Sequence, residues 1–263
     1  MLESIGRQTL APREVIVVDQ NPAGWLEDIL NPHRANLPLK VVNIPAKGAS
    51  HARNAGLVLA TGPLVGFPDD DCWLDRETLG SVETLFENDP TLAAACLPLH
   101  DAGGRPIMLR WPSRRAPVTR TSVWQNCLMA GFYARKPVLD AIGGFDERLG
   151  VGTELGSGEE TDLALRLLAA GHRLDFIPLD GLRHPQRPPV GRLAERAESY
   201  GRGFGYVWTA NRLSTFGFYY YCLRALAGRI IASLRGDTGA ACFYAASLRG
   251  RLTGRRAALN ERP

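Results

Sequence analysis

Short apolar runs alternating with helix-length segments constrain this chain more than any other feature. Glu14–Asp19 (EVIVVD), Leu39–Ile44 (LKVVNI), Pro63–Phe67 (PLVGF), residues 92–99 and residues 173–179 are short and mostly apolar. Runs of this kind read as strands buried on both faces, the pattern of parallel sheets. Between them, Gly48–Ala60, residues 75–88 and the stretch from Glu159 to Gly171 carry helical patterning. The alternation predicts an α/β fold with a mostly parallel, Rossmann-like sheet flanked by helices. At 263 residues and 45% hydrophobic composition, the chain is large enough for one such domain and a helical tail. Ligands of such sheets bind beyond the carboxyl ends of the strands.

Two of the apolar runs end in carboxylates. Asp19 closes the first, and the third runs into Asp69-Asp70-Asp71. Three adjacent carboxylates repel one another and are costly behind an apolar strand unless something positive neutralises them. They read either as oxygen ligands for Mg²⁺ or Mn²⁺, ions that bridge diphosphates, or as a helix N-terminus that favours Asp in its first turn. A second acidic cluster, Glu159-Glu160-Thr161-Asp162, opens a helix after the Gly-rich stretch Gly150–Gly158. It reads either as dipole stabilisation or as a rigidly held general base beside a loop. Further candidates carry less on their own. His184 follows a strand and is either a metal ligand or an ordinary surface histidine. Asp19 either contacts a base or ribose or simply ends a strand. Arg53 and Asn54 either contact phosphate or sugar or lie on a solvated helix face.

Charge divides the chain. Residues 183–263 hold 14 arginines, no lysine and only 4 acids, whereas the preceding residues are net acidic. Residues 192–202, 216–235 and 239–252 read as helices rich in Arg, Tyr and Leu. The apolar stretch Phe218–Leu234 is broken by Arg224 and Arg229, and no run of 18 apolar residues predicts a spanning helix. A basic tail of this kind points to an anionic partner. Arg with Tyr suits an anionic membrane surface, and the alternative is a helical pair packed on the catalytic domain with its arginines exposed. No nucleic-acid-binding motif accompanies the basic residues. The expected division is 1–189 for the catalytic domain and 190–263 for the tail. Five cysteines without a C-x-x-C pair argue against a zinc site or a disulfide framework and for a reducing compartment. The opening residues Met-Leu-Glu-Ser-Ile-Gly-Arg have no apolar core of a signal peptide. A cytoplasmic protein, peripheral on the inner face of the cell membrane, is the expectation.

Taken in order, QTLAPREVIVVD, GASHARNAGLVLATG, a strand into DDD, GGFDE and GEETDLALRLLAAG resemble glycosyltransferase family 2 on the GT-A fold, over roughly residues 3–185. The resemblance implies inverting transfer of a sugar, in the manner of hexosyltransferases, from a nucleoside diphosphate to an acceptor hydroxyl, with Mg²⁺ or Mn²⁺. A carbohydrate or lipid-linked acceptor in polysaccharide or glycolipid synthesis would fit. It implies Glu160 as the base, Asp19, Arg53, Asn54, Asp69 and Asp70 on the donor, and Asp69, Asp71 and His184 on the metal. Gly131, Glu159 and Asp162 would shape the acceptor side. The transition state would resemble an oxocarbenium ion.

Three departures accompany the resemblance. Family members carry a strand ahead of the helix that ends near Gln8, and its lack would leave an unpaired position in the sheet. Gln20 stands where a second acid is usual, and Glu160 where Asp is usual. Two other readings compete with an active transferase. One is a relative that binds nucleotide or acceptor without turnover. The other is a nucleotidyltransferase, whose Gly-rich phosphate loop is not seen.

Overall fold

A computed structural model of the protein describes residues 1–107, 111–185 and 193–261. The expected boundary between catalytic domain and tail, at residues 189 and 190, lies outside the described residues. The strands are β1 (Val15–Asp19), β2 (Leu39–Asn43), β3 (Leu64–Gly66), β4 (Trp73–Leu74), β5 (Leu92–Cys96), β6 (Ala116–Pro117), β7 (Phe132–Arg135), β8 (Arg173–Phe176) and β9 (Leu182–Arg183). The helices are α1 (Leu2–Gly6), α2 (Glu27–Leu30), α3 (Ala49–Leu59), α4 (Thr78–Asn88), α5 (Val123–Asn126), α6 (Lys136–Ala141), α7 (Glu159–Ala169), α8 (Leu193–Ala210), α9 (Thr215–Leu234) and α10 (Thr238–Asn260). The described residues fall into two compact units. The first comprises residues 1–47, 51–145 and 163–185, and the second residues 48–50, 146–162 and 193–261.

The first unit is the α/β body. Its main sheet has the order β3-β7-β5-β8-β6, and β1 pairs in parallel with β2 in a separate ribbon. β5 (LAAAC) is buried along its whole length, as a central strand flanked on both faces must be. The sheet is mixed rather than mostly parallel. β5 and β8 are parallel, but β7 runs antiparallel to both β3 and β5. Residues 126–133 read in sequence as an apolar lead-in to a helix, and the strand they contribute to is the one that reverses direction.

Among the described residues, β1 and β3 each keep one edge without a strand partner. Both edges line a cavity of about 1580 Å³, together with Gly56, Leu57 and Tyr133. Gly66 lets the buried Tyr133 ring close over β3, since a Cβ there would stand 2.5 Å from that ring.

The second unit is built on helices α8, α9 and α10. α9 is capped by Ser214, whose side chain accepts from the Gly217 N–H, and α10 by Asp237, which accepts from the Ala240 N–H at 2.8 Å. α8 and α10 meet through glycines one turn apart on each: Gly201 and Gly205 face Gly250 and Gly254. A Cβ on Gly205 would overlap the Arg251 carbonyl oxygen, and one on Gly254 the Arg202 carbonyl oxygen. Phe204 and Trp208 of α8 pack against Phe218 and Tyr221 of α9.

The Gly-rich segment belongs to this unit. A Cβ on Gly203 would overlap the Ser157 carbonyl, and Gly158 packs 3.0 Å from Val207 by the same measure. Gly150, Gly152, Gly156 and Gly158 all have positive φ, so the segment's path requires glycine at those points.

Candidate functional site

β3 leads through Phe67 and Pro68 to the three aspartates, and β9 delivers His184 to the same place. The ligand atoms of Asp69, Asp71, Cys72 and His184 lie within 4.8 Å of one another. His184 Nε2 is 3.6 Å from Asp71 Oδ1, while its Nδ1 lies 2.9 Å from the Pro185 carbonyl. Asp70 is exposed and lines the cavity beside β3. Arg53 of α3 reaches Asp69 Oδ1 at 3.7 Å and lies over the Phe145 ring. Burial raises the Asp69 carboxyl above its ordinary range; Arg53 and His184 oppose this, and the Asp71 and Asp70 charges add to it.

Two carboxylates and an imidazole fit a divalent ion such as Mn²⁺ or Mg²⁺ by donor chemistry and by spacing. Cys72 is the member that sequence reasoning missed. Burial, then the Asp69 charge, pushes its thiol up to about 12, so it is neutral at ordinary pH. It also packs in a core cluster with Ile5, Leu37 and Leu74, where a thiol serves as a small apolar group. The signal that could have found it is its adjacency to Asp71.

Asp19 is 5% exposed at the end of β1. It accepts from the backbone N–H and the side-chain amide of Asn21, each at 2.8 Å. Foremost the backbone bond, then the side chains of Asn21 and Asn43 and the charge of Lys47, hold its carboxyl below the usual range against burial. Asn54 holds a turn: its amide donates to the Phe145 carbonyl at 2.9 Å and accepts from the Phe145 N–H at 2.8 Å. Arg166 of α7 secures the same turn through the carbonyls of Ile142 and Gly144. Gly131 closes against the end of β5, where a Cβ would overlap the Leu97 carbonyl. Glycine there is required by packing.

In the second unit, Glu159 and Asp162 are buried and Glu160 is half-buried at the start of α7. Asp162 Oδ1 accepts from Asn211 Nδ2 of α8 at 2.8 Å. Asn211 gave no signal in sequence, because an Asn near a helix end has many uses.

The fold is shared with solved glycosyltransferases of the GT-A class. S. aureus TarS 1–349, crystallised with UDP-GlcNAc, superposes with a TM-score of 0.61 at 20% identity, over 79% of this chain and 61% of that one. GalNAc-T7, crystallised with UDP, GalNAc and Mn²⁺, superposes with a TM-score of 0.55 at 16% identity, over 81% of this chain and 47% of that one. The chain belongs to glycosyl transferase family 2, whose family model matches residues 1–139. It is also 31% identical over 202 residues to the pre-mycofactocin glycosyltransferase of Mycobacterium tuberculosis, over 71% of this chain and 40% of that relative. The chain thus spans about 40% of the length of that relative.

Proposed function

We propose that the protein is an inverting, metal-dependent glycosyltransferase that moves a sugar from a nucleoside diphosphate onto an acceptor hydroxyl. The observation that carries this reading is the gathering of Asp69, Asp71 and His184 within 4.8 Å at the carboxyl end of β3. Support comes from the UDP-GlcNAc bound to TarS and the UDP and Mn²⁺ bound to GalNAc-T7, two proteins of the same fold. Asp69, Asp71 and His184 hold the ion in this reading. A divalent ion bound there would supply positive charge to offset the negative charge of a diphosphate leaving group. Arg53 and Asp70 flank the donor, and Asp19 recognises the nucleobase. Glu160 takes the proton from the acceptor hydroxyl, with Glu159 and Asp162 fixing the helix start that carries it. Gly131 keeps the acceptor-side loop close to β5. A carbohydrate or lipid-linked acceptor, met at the cytoplasmic face of the cell membrane, completes the reading and suits polysaccharide or glycolipid synthesis.

The test is heat stability with UDP, GDP and dTDP, each with and without Mn²⁺. One nucleotide should raise the unfolding temperature in the presence of metal, because a ligand that binds only the folded chain stabilises it by mass action. Asp71→Ala should remove that rise. No shift with any nucleotide, in a protein that unfolds cooperatively, would overturn the donor-site reading. Nucleotide binding without sugar transfer would instead favour a binding relative that has lost catalysis.

A further inference from the structure

α9 turns an apolar face outward. At about 100° per residue, Phe216, Tyr220, Leu223, Ile230 and Leu234 fall on one side of the helix. Phe216 and Leu234 are 83% exposed, Leu223 64% and Ile230 52%. Phe218, Cys222, Ala225 and Ala232 are buried and take the other side, so the outward face is not a by-product of poor packing. An apolar stripe that runs the length of a 20-residue helix is more than scattered surface hydrophobics, and such stripes mark interaction sites.

Its charge selects the partner. Thr215–Leu234 contains no Asp or Glu. Arg224 lies about 100° to one flank of Leu223 and Arg229 about 120° to the other, and both are exposed. Arg235 follows at the C-terminal end and is also exposed. Arg224 stacks over Tyr220 and Tyr221, an arrangement that suits the boundary between headgroups and acyl chains. A second copy of this helix would bring only more arginine to the stripe, and an antiparallel pair about the helix midpoint would set Arg224 beside its own copy. No helix among the described residues is long and apolar enough to cross a membrane, so the helix is suited to lie on a bilayer.

We propose that the outward face of α9 seats on an anionic lipid surface. Phe216, Leu223, Ile230 and Leu234 enter the headgroup boundary, and Arg224, Arg229 and Arg235 meet lipid phosphates. The proposal deepens the reading of a membrane-facing tail and does not depend on the donor site, so nucleotide binding stands or falls separately.

The test is co-sedimentation of the full chain with vesicles of phosphatidylcholine alone or with phosphatidylglycerol at about 30%. The protein should pellet with the anionic vesicles, stay in solution with the neutral ones, and be released by added salt. Leu223→Asn with Ile230→Asn should abolish pelleting. Arg224→Gln with Arg229→Gln should weaken it about 30-fold, since each surface arginine contributes roughly a factor of five. All four positions are solvent-exposed, so the heat-unfolding transition should be unchanged in both variants. No pelleting of the wild-type chain, or undiminished pelleting of both variants, would overturn the proposal. A dimer in solution that Leu223→Asn with Ile230→Asn dissociates, without vesicle binding, would assign the face to a second copy instead.

Discussion

Glu14 shows how one carboxylate can tie a sheet to the loop beside it. Its side chain, 9% exposed, pairs with Lys40 on β2 and accepts from the backbone N–H groups of Thr61 and Gly62 and from the Thr61 hydroxyl. Burial pushes its carboxyl up, but the Lys40 pairing and those three hydrogen bonds outweigh it and bring the carboxyl from 4.5 down to about 2. A carboxyl depressed in the folded state adds stability that is fully present above the unfolded value. That stability is lost as pH falls from about 4.5 towards about 2. Glu14→Gln should therefore lower the unfolding temperature most above pH 5, and the gap to wild type should close as pH approaches 2. A gap that stays constant across that range would remove the carboxylate from the account.

At the same scale, the aspartate run behind an apolar strand was legible as an unusual feature, whereas only the family resemblance favoured His184 as a ligand over an ordinary surface histidine. The structure brings Asp69, Asp71 and His184 within 4.8 Å of one another. Sequence reading missed Cys72 and Asn211, whose importance lies in what they face. The double hydrogen bond of Asn54 to Phe145 was equally invisible, because it joins residues 91 positions apart in sequence.

At the scale of elements, helix glycines divide into two kinds that sequence alone cannot separate. Glycine lowers helix propensity by about 1 kcal/mol relative to alanine wherever it stands inside a helix. On the facing sides of α8 and α10, Gly205 and Gly254 accept that cost so that the two backbones can approach within touching distance. Gly239, near the start of α10, meets nothing closer than the Asp237 carboxylate at 3.6 Å. Gly205→Ala or Gly254→Ala should destabilise by about 2 kcal/mol, as overpacking outweighs the propensity gain. Gly239→Ala should be neutral or stabilising by up to ~1 kcal/mol. Denaturant titration of the three variants decides this, and equal effects at all three positions would show that close approach plays no part. Strand existence was legible in the same way that helix existence was, through periodicity. Strand direction was not. β7 is short, and its apolar residues continue the preceding loop, so nothing in its pattern says that it runs against β5.

At the scale of the whole molecule, the sequence suggested a catalytic domain with a basic appendage, divided by composition near residue 190. Among the described residues, segment 146–162, which includes the Gly-rich stretch, packs with the helices α8, α9 and α10. Within that unit, Asn211 holds Asp162, Gly203 backs onto Ser157, and Arg148 pairs with both Asp146 and Glu261. Composition reports which solvent or partner a segment prefers, whereas the contacts of Asn211 with Asp162, Gly203 with Ser157 and Arg148 with Glu261 join residues 46 or more positions apart, beyond the reach of any local pattern. The helices therefore act as a frame for the segment that leads into Glu159 and Glu160. Gly203→Ala, made on α8, should push Ser157 off its seat and raise the exchange rates of backbone amides in residues 150–158. The amides of β5 and β7 belong to the other unit and should keep their protection. Hydrogen exchange followed by mass spectrometry separates the two regions. If residues 150–158 stay as protected as in wild type, the segment is held by its own turns and the helices are not its frame.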